Sequence, residues 1–367
     1  MLAGEASPAA HGLSPLDYGV CADAALNALM TRWYRFGTGT WSGLRWWNSA
    51  NALETIINYS FKRPLDSISA VIQDVYSNCK NKYYGNFITN FYDDDAWWAL
   101  ALVRAYDRTR VPEYLAMAET IFNVVQGAWD ESTCSGGVWW NVTRREKNAI
   151  ENELFITLST RLYIRTGKKE YLDWARRTLD WFDGTGMQGP SGLINDGVDL
   201  STCGSNHKTA WTYNQGVILG GLADLHTITG DYGYLAKART IATAAMSNLV
   251  DGEGILREPC ELTPEGCGAD GPQFKGIFVR YLSYLCEWER KFLQSQSGSS
   301  TASSLGQDRD FISACNSFFA KQASSIWTNN RDASNDTLGL HWAGPLSAPD
   351  ASTQSSALDA LVAAIPQ

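Results

Sequence analysis

Three segments of the chain align without gaps: YDRTRVPEYLAMA from Tyr106, YIRTGKKEYLDWA from Tyr163 and HTITGDYGYLAKA from His226. In each, a threonine (Thr109, Thr166, Thr229) stands five residues before a Tyr-Leu pair that begins at Tyr114, Tyr171 or Tyr234. An alanine (Ala118, Ala175, Ala238) follows in each copy. The copies are offset by 57 and 63 residues, the length of one long helix pair with its loops. Each copy reads as a helix end, a tight turn and a second helix with a small residue at a packing contact. A period of this size restricts the chain to a helical architecture built by repetition.

Extending the frame separates two classes of helix that alternate along the chain, six of each. One class is apolar or small-residue rich all round, with members beginning near Asn48, Asp95, Asn148, Tyr213, Phe274 and Ser352. A helix apolar on every side is buried on every side. The other class is amphipathic and charged, beginning near Tyr18, Leu65, Pro112, Lys169, Tyr232 and Asp308. Strand signals are weak. Six inner and six outer helices predict an all-α fold, an (α/α)6 barrel. The alternative is an open α-solenoid, which does not need inner helices this apolar. The expected organisation is one catalytic domain over 1–367, with an extended N-terminal segment at 1–17 and a Ser-rich loop at 295–304.

In such a barrel all inner helices run the same way, so their N-termini meet at one rim. The segments entering them are WSGLRWWNSAN, YYGNFITNFYDDDAWW, GGVWWNVTRREKNAIEN, HKTAWTYNQG and DGPQFKG. These hold most of the paired tryptophans and many of the Asn, Gln and acidic residues. The chain has 15 Trp, 16 Tyr and 13 Phe, and aromatic pairs beside polar clusters suit a sugar, whose C–H faces pack on rings while its hydroxyls seek amides and acids. Scattered aromatics alone would be ordinary core.

A net charge of −9 argues against nucleic acid or an anionic membrane surface as partner. No apolar run approaches the roughly 18 residues of a membrane span, and a monomer is expected. Eight cysteines without a CxxC pair argue against zinc or thioredoxin chemistry. With three N-x-S/T sequons (Asn58, Asn141, Asn335), they point to a disulfide-bonded secreted chain, Cys260–Cys267 being the easiest local pair. Eight buried thiols in a cytosolic protein is the competing reading. The start, MLAGEASPAAHGLSPL, has no basic region or apolar stretch and reads as a mature or trimmed start with an added Met. No C-terminal apolar tail has the length of a lipid-anchor signal.

The run Asp93-Asp94-Asp95 opens the second inner helix. Capping would account for one acid, at about 0.5–2 kcal/mol, and three in succession beside aromatics exceed that need. Adjacent carboxylates at a helix entry suit a retaining glycosidase, which needs roughly 5–5.5 Å between nucleophile and acid/base, better than an inverting one, which needs about 6.5–9.5 Å. Their mutual field keeps one protonated while helix N–H groups keep the other ionised. The four histidines show no metal-ligand spacing, DDD lacks the spaced oxygens of a calcium loop, and GTGMQG follows a helix rather than a strand.

YDDDAWWALAL, WWNSANALE, CSGGVWWN with KNAIENELFI, WTYNQGVILGGL and FKGIFVR together resemble glycoside hydrolase family 76, the α-1,6-mannanases, in a secreted fungal form. The resemblance runs from about Tyr18 to the C-terminus. It implies an (α/α)6 barrel, retaining endo-hydrolysis of α-1,6-linked mannan or mannooligosaccharides, no metal or other cofactor, and a secreted or cell-wall location. By resemblance Asp93 is the nucleophile and Asp94 the acid/base, with Asp94-Asp95 the fallback register. Trp47, Asn51, Trp140, Asn148, Asn152, Tyr213, Asn214, Gln215 and Lys275 are carried over, together with Asp95, as substrate contacts or supports of the acids. The alternatives are a cell-wall transglycosidase acting on mannan or mannose-bearing lipid-anchor glycans, a non-catalytic mannan-binding protein and a helical scaffold.

Overall fold

The computed structural model describes residues 16–295 and 302–366. Twelve α-helices occur among them: α1 (Tyr18–Arg32), α2 (Trp46–Lys62), α3 (Ile68–Cys79), α4 (Tyr92–Thr109), α5 (Pro112–Gln126) and α6 (Ala149–Thr166), then α7 (Lys169–Gly184), α8 (Thr212–Thr229), α9 (Tyr232–Asn248), α10 (Phe274–Ser295), α11 (Ala302–Asn329) and α12 (Ala351–Ala364). The even-numbered helices are the inner ring. Each packs on the next, and α12 returns to α2, which closes the barrel. Three two-residue antiparallel hairpins, β1 (Tyr34–Arg35) with β2 (Thr40–Trp41), β3 (Val198–Asp199) with β4 (Gly204–Ser205) and β5 (Arg331–Asp332) with β6 (Thr337–Leu338), decorate the loops.

The repeated threonine has a defined job. Thr109, Thr166 and Thr229 are the last residues of α4, α6 and α8, and each hydroxyl donates to the carbonyl four residues back at 2.7–2.8 Å. The same oxygen accepts the N–H two residues on, at 3.1–3.3 Å. The next residue, Arg110, Gly167 or Gly230, takes a left-handed φ of 62–74° and stops the helix. The chain then reverses into the outer helix, where Ala118, Ala175 and Ala238 are fully buried against the inner ring.

Inner-helix packing is close. A Cβ on Gly276 would lie 2.5 Å from Ser356 Cα, and one on Gly216 would lie 2.6 Å from Phe278 Cα. Glycine at these two positions lets α10 approach α12 and α8.

Two differences from the sequence reading stand out. Helix α11 begins at Ala302 rather than near Asp308, and α10 runs to Ser295, so the expected Ser-rich loop is helical at both ends. Its centre, 296–301, and most of the expected N-terminal segment lie outside the described residues. Disulfides join Cys260 to Cys267, as expected, and Cys134 to Cys203. Cys21, Cys79, Cys286 and Cys315 are buried thiols. Among the described residues, no helix is long and apolar enough to cross a membrane.

Candidate active site

A cavity of about 930 Å³ opens where the N-termini of α2, α4, α6, α8 and α10 converge. Its floor carries Asp93 and Asp94, and its walls are aromatic, including Trp47, Trp97, Trp140, Tyr213 and Phe274. Tyr213 and Phe274 stack face to face with centroids 3.9 Å apart. Tyr83 and Tyr84 stand exposed at the mouth.

The three consecutive acids have three different surroundings. Asp93 accepts the Trp140 indole N–H on Oδ2 at 2.9 Å, while its buried Oδ1 has no partner among the described residues. Burial pushes its carboxyl up to about 6, against the opposing pull of Trp140 and the first-turn N–H groups. Asp94 is held well above the ordinary carboxylate range, first by burial, then by the charges of Asp93, Asp95 and Asp270, with Arg45 opposing. Asp95 is fully buried and does not line the cavity. Its Oδ1 accepts from the Thr89 N–H at 2.7 Å and the Thr89 hydroxyl at 2.9 Å, which ties down the loop entering α4.

Trp140 reaches Asp93 because its loop is strapped to the segment before α4. The Tyr92 N–H donates to the Trp140 carbonyl and the Val142 N–H to that of Asn90, both at 3.0 Å. The base of this strap is held by buried Lys147, whose ammonium donates to the carbonyls of Asp130, Thr133 and Gly136 at 2.6–2.8 Å. Gly137, with φ 92°, lies so close to Trp181 that a Cβ would sit 2.4 Å from its ring. The Cys134–Cys203 disulfide fixes the same loop to the β3–β4 hairpin. Across the mouth, Asp270 accepts the Trp47 indole N–H at 2.9 Å and Arg45 at 2.7 Å. It sits just beyond the Cys260–Cys267 loop.

Of the residues expected at the site, Asp93, Asp94, Trp47, Trp140, Asn148 and Tyr213 line the cavity. Asn51, Asn152, Asn214, Gln215, Lys275 and Asp95 do not line it; they are buried in the structure behind it. Asn152 binds both the N–H and the carbonyl of Val138, at 2.8 and 3.4 Å. Gln215 does the same for Ile194, at 2.8 Å each way. Each amide acts as a strand surrogate that holds a loop against its helix. Asn51 accepts from Arg280 at 3.0 Å inside the barrel. Lys275 is fully buried, donating to Glu261 and, at 2.8 Å, to the Leu340 carbonyl. Asn214 is buried, and neither of its side-chain polar atoms has a partner among the described residues.

Sequence reading passed over Arg45, Glu146, Asp196 and Asp270, all of which line the cavity. Three of them fall in or beside the entry segments already singled out. Asp196 belongs to a loop that carries no aromatic signal.

The acids separate experimentally. Asp95→Asn keeps the oxygen that accepts from Thr89, so activity is expected within about tenfold of the parent, below the 10²–10⁴-fold expected of an acid/base. Burial raises Asp95 from 3.8 to about 8 in the folded state. The folded chain therefore holds a proton that the unfolded chain releases, and stability falls as pH rises through 3.8–8. The asparagine variant escapes this loss, so its denaturation midpoint should gain on the parent progressively across that window. Loss of activity matching that of the neighbouring acids would reassign Asp95 to the chemistry.

The family model described as Glycosyl hydrolase family 76 matches residues 21–365. The mannan endo-1,6-alpha-mannosidase DCW1 of Candida albicans is 29% identical over 259 residues, covering 65% of this chain and 57% of that protein. DCW1 of Saccharomyces cerevisiae is 28% identical with the same coverage. The chain thus spans less than two thirds of the length of these relatives. Among solved structures, the α-1,6-mannanase GH76A of Salegentibacter sp. HEL1_6 superposes with TM-score 0.80 at 23% identity, covering 95% of this chain and 99% of that one. That structure is a variant inactivated at two consecutive aspartates, in complex with alpha-1,6-mannotetrose. Dfg5 from Chaetomium thermophilum, in complex with glucosamine, superposes with TM-score 0.78 at 18% identity, covering 95% and 90%.

Proposed function

The chain belongs to glycosyl hydrolase family 76, and on that premise we propose that it is a retaining endo-α-1,6-mannanase acting on the backbone of α-1,6-linked mannan. Asp93 is the nucleophile and Asp94 the acid/base. The observation that carries the proposal is the unlike environment of two consecutive carboxylates facing one aromatic cavity. Hydrogen bonds to Trp140 and first-turn N–H groups favour the ionised form of Asp93. Burial among like charges favours the protonated form of Asp94.

In this reading Asp93 attacks the anomeric carbon while Asp94 gives its proton to the departing glycosidic oxygen. Asp94, now a carboxylate, takes a proton from water, which displaces Asp93 from the glycosyl carbon. Two inversions give net retention. Trp47, Tyr213 and Phe274 offer ring faces to the sugar C–H surfaces, and Asn148 offers an amide to hydroxyls. The DCW1 relatives named for the same activity support the substrate class. The two disulfides support a location outside the cytosol, secreted or in the cell wall.

Incubation with unbranched α-1,6-mannan should release new reducing ends and short oligosaccharides whose first-formed anomer is α. Release of the β anomer, or none at all, would overturn the assignment. An added mannooligosaccharide acceptor tests how the intermediate is discharged: a product mixture consisting only of longer chains would assign transfer to a sugar hydroxyl in place of hydrolysis.

A further inference from the structure

A second cavity, about 570 Å³, opens at the opposite end of the barrel, among the C-terminal halves of the inner helices. Two buried groups among its lining residues, Arg161 Nε and the Tyr281 hydroxyl, have no hydrogen-bond partner among the described residues.

The arginines there are unevenly served. Arg280 is matched by Glu54 at 3.0 Å and Asp359 at 2.8 Å, and Lys62 by Glu287 at 3.0 Å. Arg161 and Arg104 are not matched in this way. Arg161, 4% exposed, donates no hydrogen bond within the described residues and approaches Asp224 only to 3.6 Å. Asp224 is already taken by the hydroxyls of Tyr284 and Thr160. Arg104 bonds to the neutral Asn58 and lies 3.7 Å from Asp107, which Arg165 already grips through two nitrogens. Burial and the nearby Arg161 disfavour the charge on Arg104, with Asp107 and Glu54 opposing them in part. Helix-end neutralisation does not explain the pair. The last turns of α2, α4 and α6 have their own cations in Lys62, Arg108 and Arg165, and Arg104 and Arg161 lie a turn deeper.

Aromatic rings cover the guanidinium faces, Phe61 over Arg104 at 4.1 Å and Tyr284 over Arg161 at 4.4 Å. Covered faces leave the in-plane N–H edges for a ligand. Two guanidinium groups and a hydroxyl lining one cavity supply the several donors that the three terminal oxygens of a phosphate group accept, an anion whose geometry the arginine fork matches. The volume lies within the ordinary range of small-molecule sites, roughly 300–1,000 Å³, and exceeds what a lone oxyanion fills.

We propose that this cavity, remote from the mannan cleft, binds the phosphate group of a small phosphate monoester such as a sugar phosphate, held by Arg104, Arg161 and the Tyr281 hydroxyl. The site is independent of the chemistry assigned to Asp93 and Asp94.

The test is calorimetric titration of the whole chain with inorganic phosphate and with mannose 6-phosphate, each at ionic strength matched with chloride. Saturable binding of mannose 6-phosphate at one site, at least as tight as that of inorganic phosphate, is expected. Arg161→Lys and Tyr281→Phe should each weaken it by about tenfold or more, whereas Asp93→Asn should leave it unchanged. Tyr281→Phe removes a hydroxyl with no partner, so it keeps the test valid even where Arg161→Lys fails to fold. No saturable heat up to roughly 10 mM, where a millimolar site would be largely filled, overturns the proposal. So does binding of inorganic phosphate alone, or binding that Tyr281→Phe does not weaken.

Discussion

Asp94→Asn is expected to lower turnover of α-1,6-mannan by at least about 10³-fold while the chain stays folded and becomes no less stable. Among the described residues no group donates a hydrogen bond to the Asp94 carboxyl, and burial among acids holds that carboxyl protonated, so a neutral amide of the same shape costs the fold little. Asp93→Asn should abolish turnover as completely, because the covalent intermediate cannot form. The two variants differ towards a mannoside with a strongly acidic leaving group. That substrate needs no proton for departure, so Asp94→Asn should form the glycosyl intermediate with it, whereas Asp93→Asn should not. In the parent, the acid limb of kcat/KM should lie above the usual carboxylate range, near the value of about 6 to which burial raises Asp93. The alkaline limb, set by loss of the Asp94 proton, should be absent in Asp94→Asn. More than a tenth of parent activity in both variants on mannan would remove the assignment of these two residues.

The run of three acids illustrates what a sequence can convey about a site. That they open a buried helix beside paired tryptophans is visible in the letters, because an all-round apolar stretch needs burial and a helix start attracts acids. Which two face the cavity is not visible. Successive helical residues turn by roughly 100°, so Asp93 and Asp94 meet the cleft while Asp95 turns back to Thr89. The same rotation separates Tyr213, which faces the cleft, from Asn214 and Gln215, which do not. An amide near a helix start looks alike in sequence whether it serves a ligand or the backbone of a preceding loop. Asn152, Gln215 and Gln354 serve the loop, the last accepting the Leu338 N–H at 2.8 Å.

Helix positions were legible for a related reason. The inner helices begin within three residues of where their apolar runs predict, since burial leaves little freedom in composition. The start of α11 was not, because ASSLGQ carries no apolar period. Asp196 comes to the cleft through tertiary contacts that leave no local pattern.

The barrel closes where α12 meets α2, and Arg280 of α10 lies across that seam. Its guanidinium donates to Asp359 at 2.8 Å, Glu54 at 3.0 Å and Asn51 at 3.0 Å, and all four residues are buried. Even with Arg280 present, burial holds Asp359 up at about 6. Arg280→Met should therefore cost about 3–5 kcal/mol at neutral pH, the scale for leaving buried carboxylates without their cation, read as a fall in the denaturation midpoint. Because the folded-state pKa of Asp359 is raised above the ordinary carboxyl value of 3.8, the folded form retains the proton to higher pH than the unfolded form. Without Arg280 that pKa rises further, so the deficit should shrink as pH falls towards 5 and the carboxylates take up protons. Adding Glu54→Gln and Asp359→Asn to Arg280→Met removes both stranded charges and should recover most of the loss. A single variant as stable as the parent at neutral pH, or a deficit that widens on acidification, would show that the seam is held by helix packing alone, with the ion cluster contributing nothing.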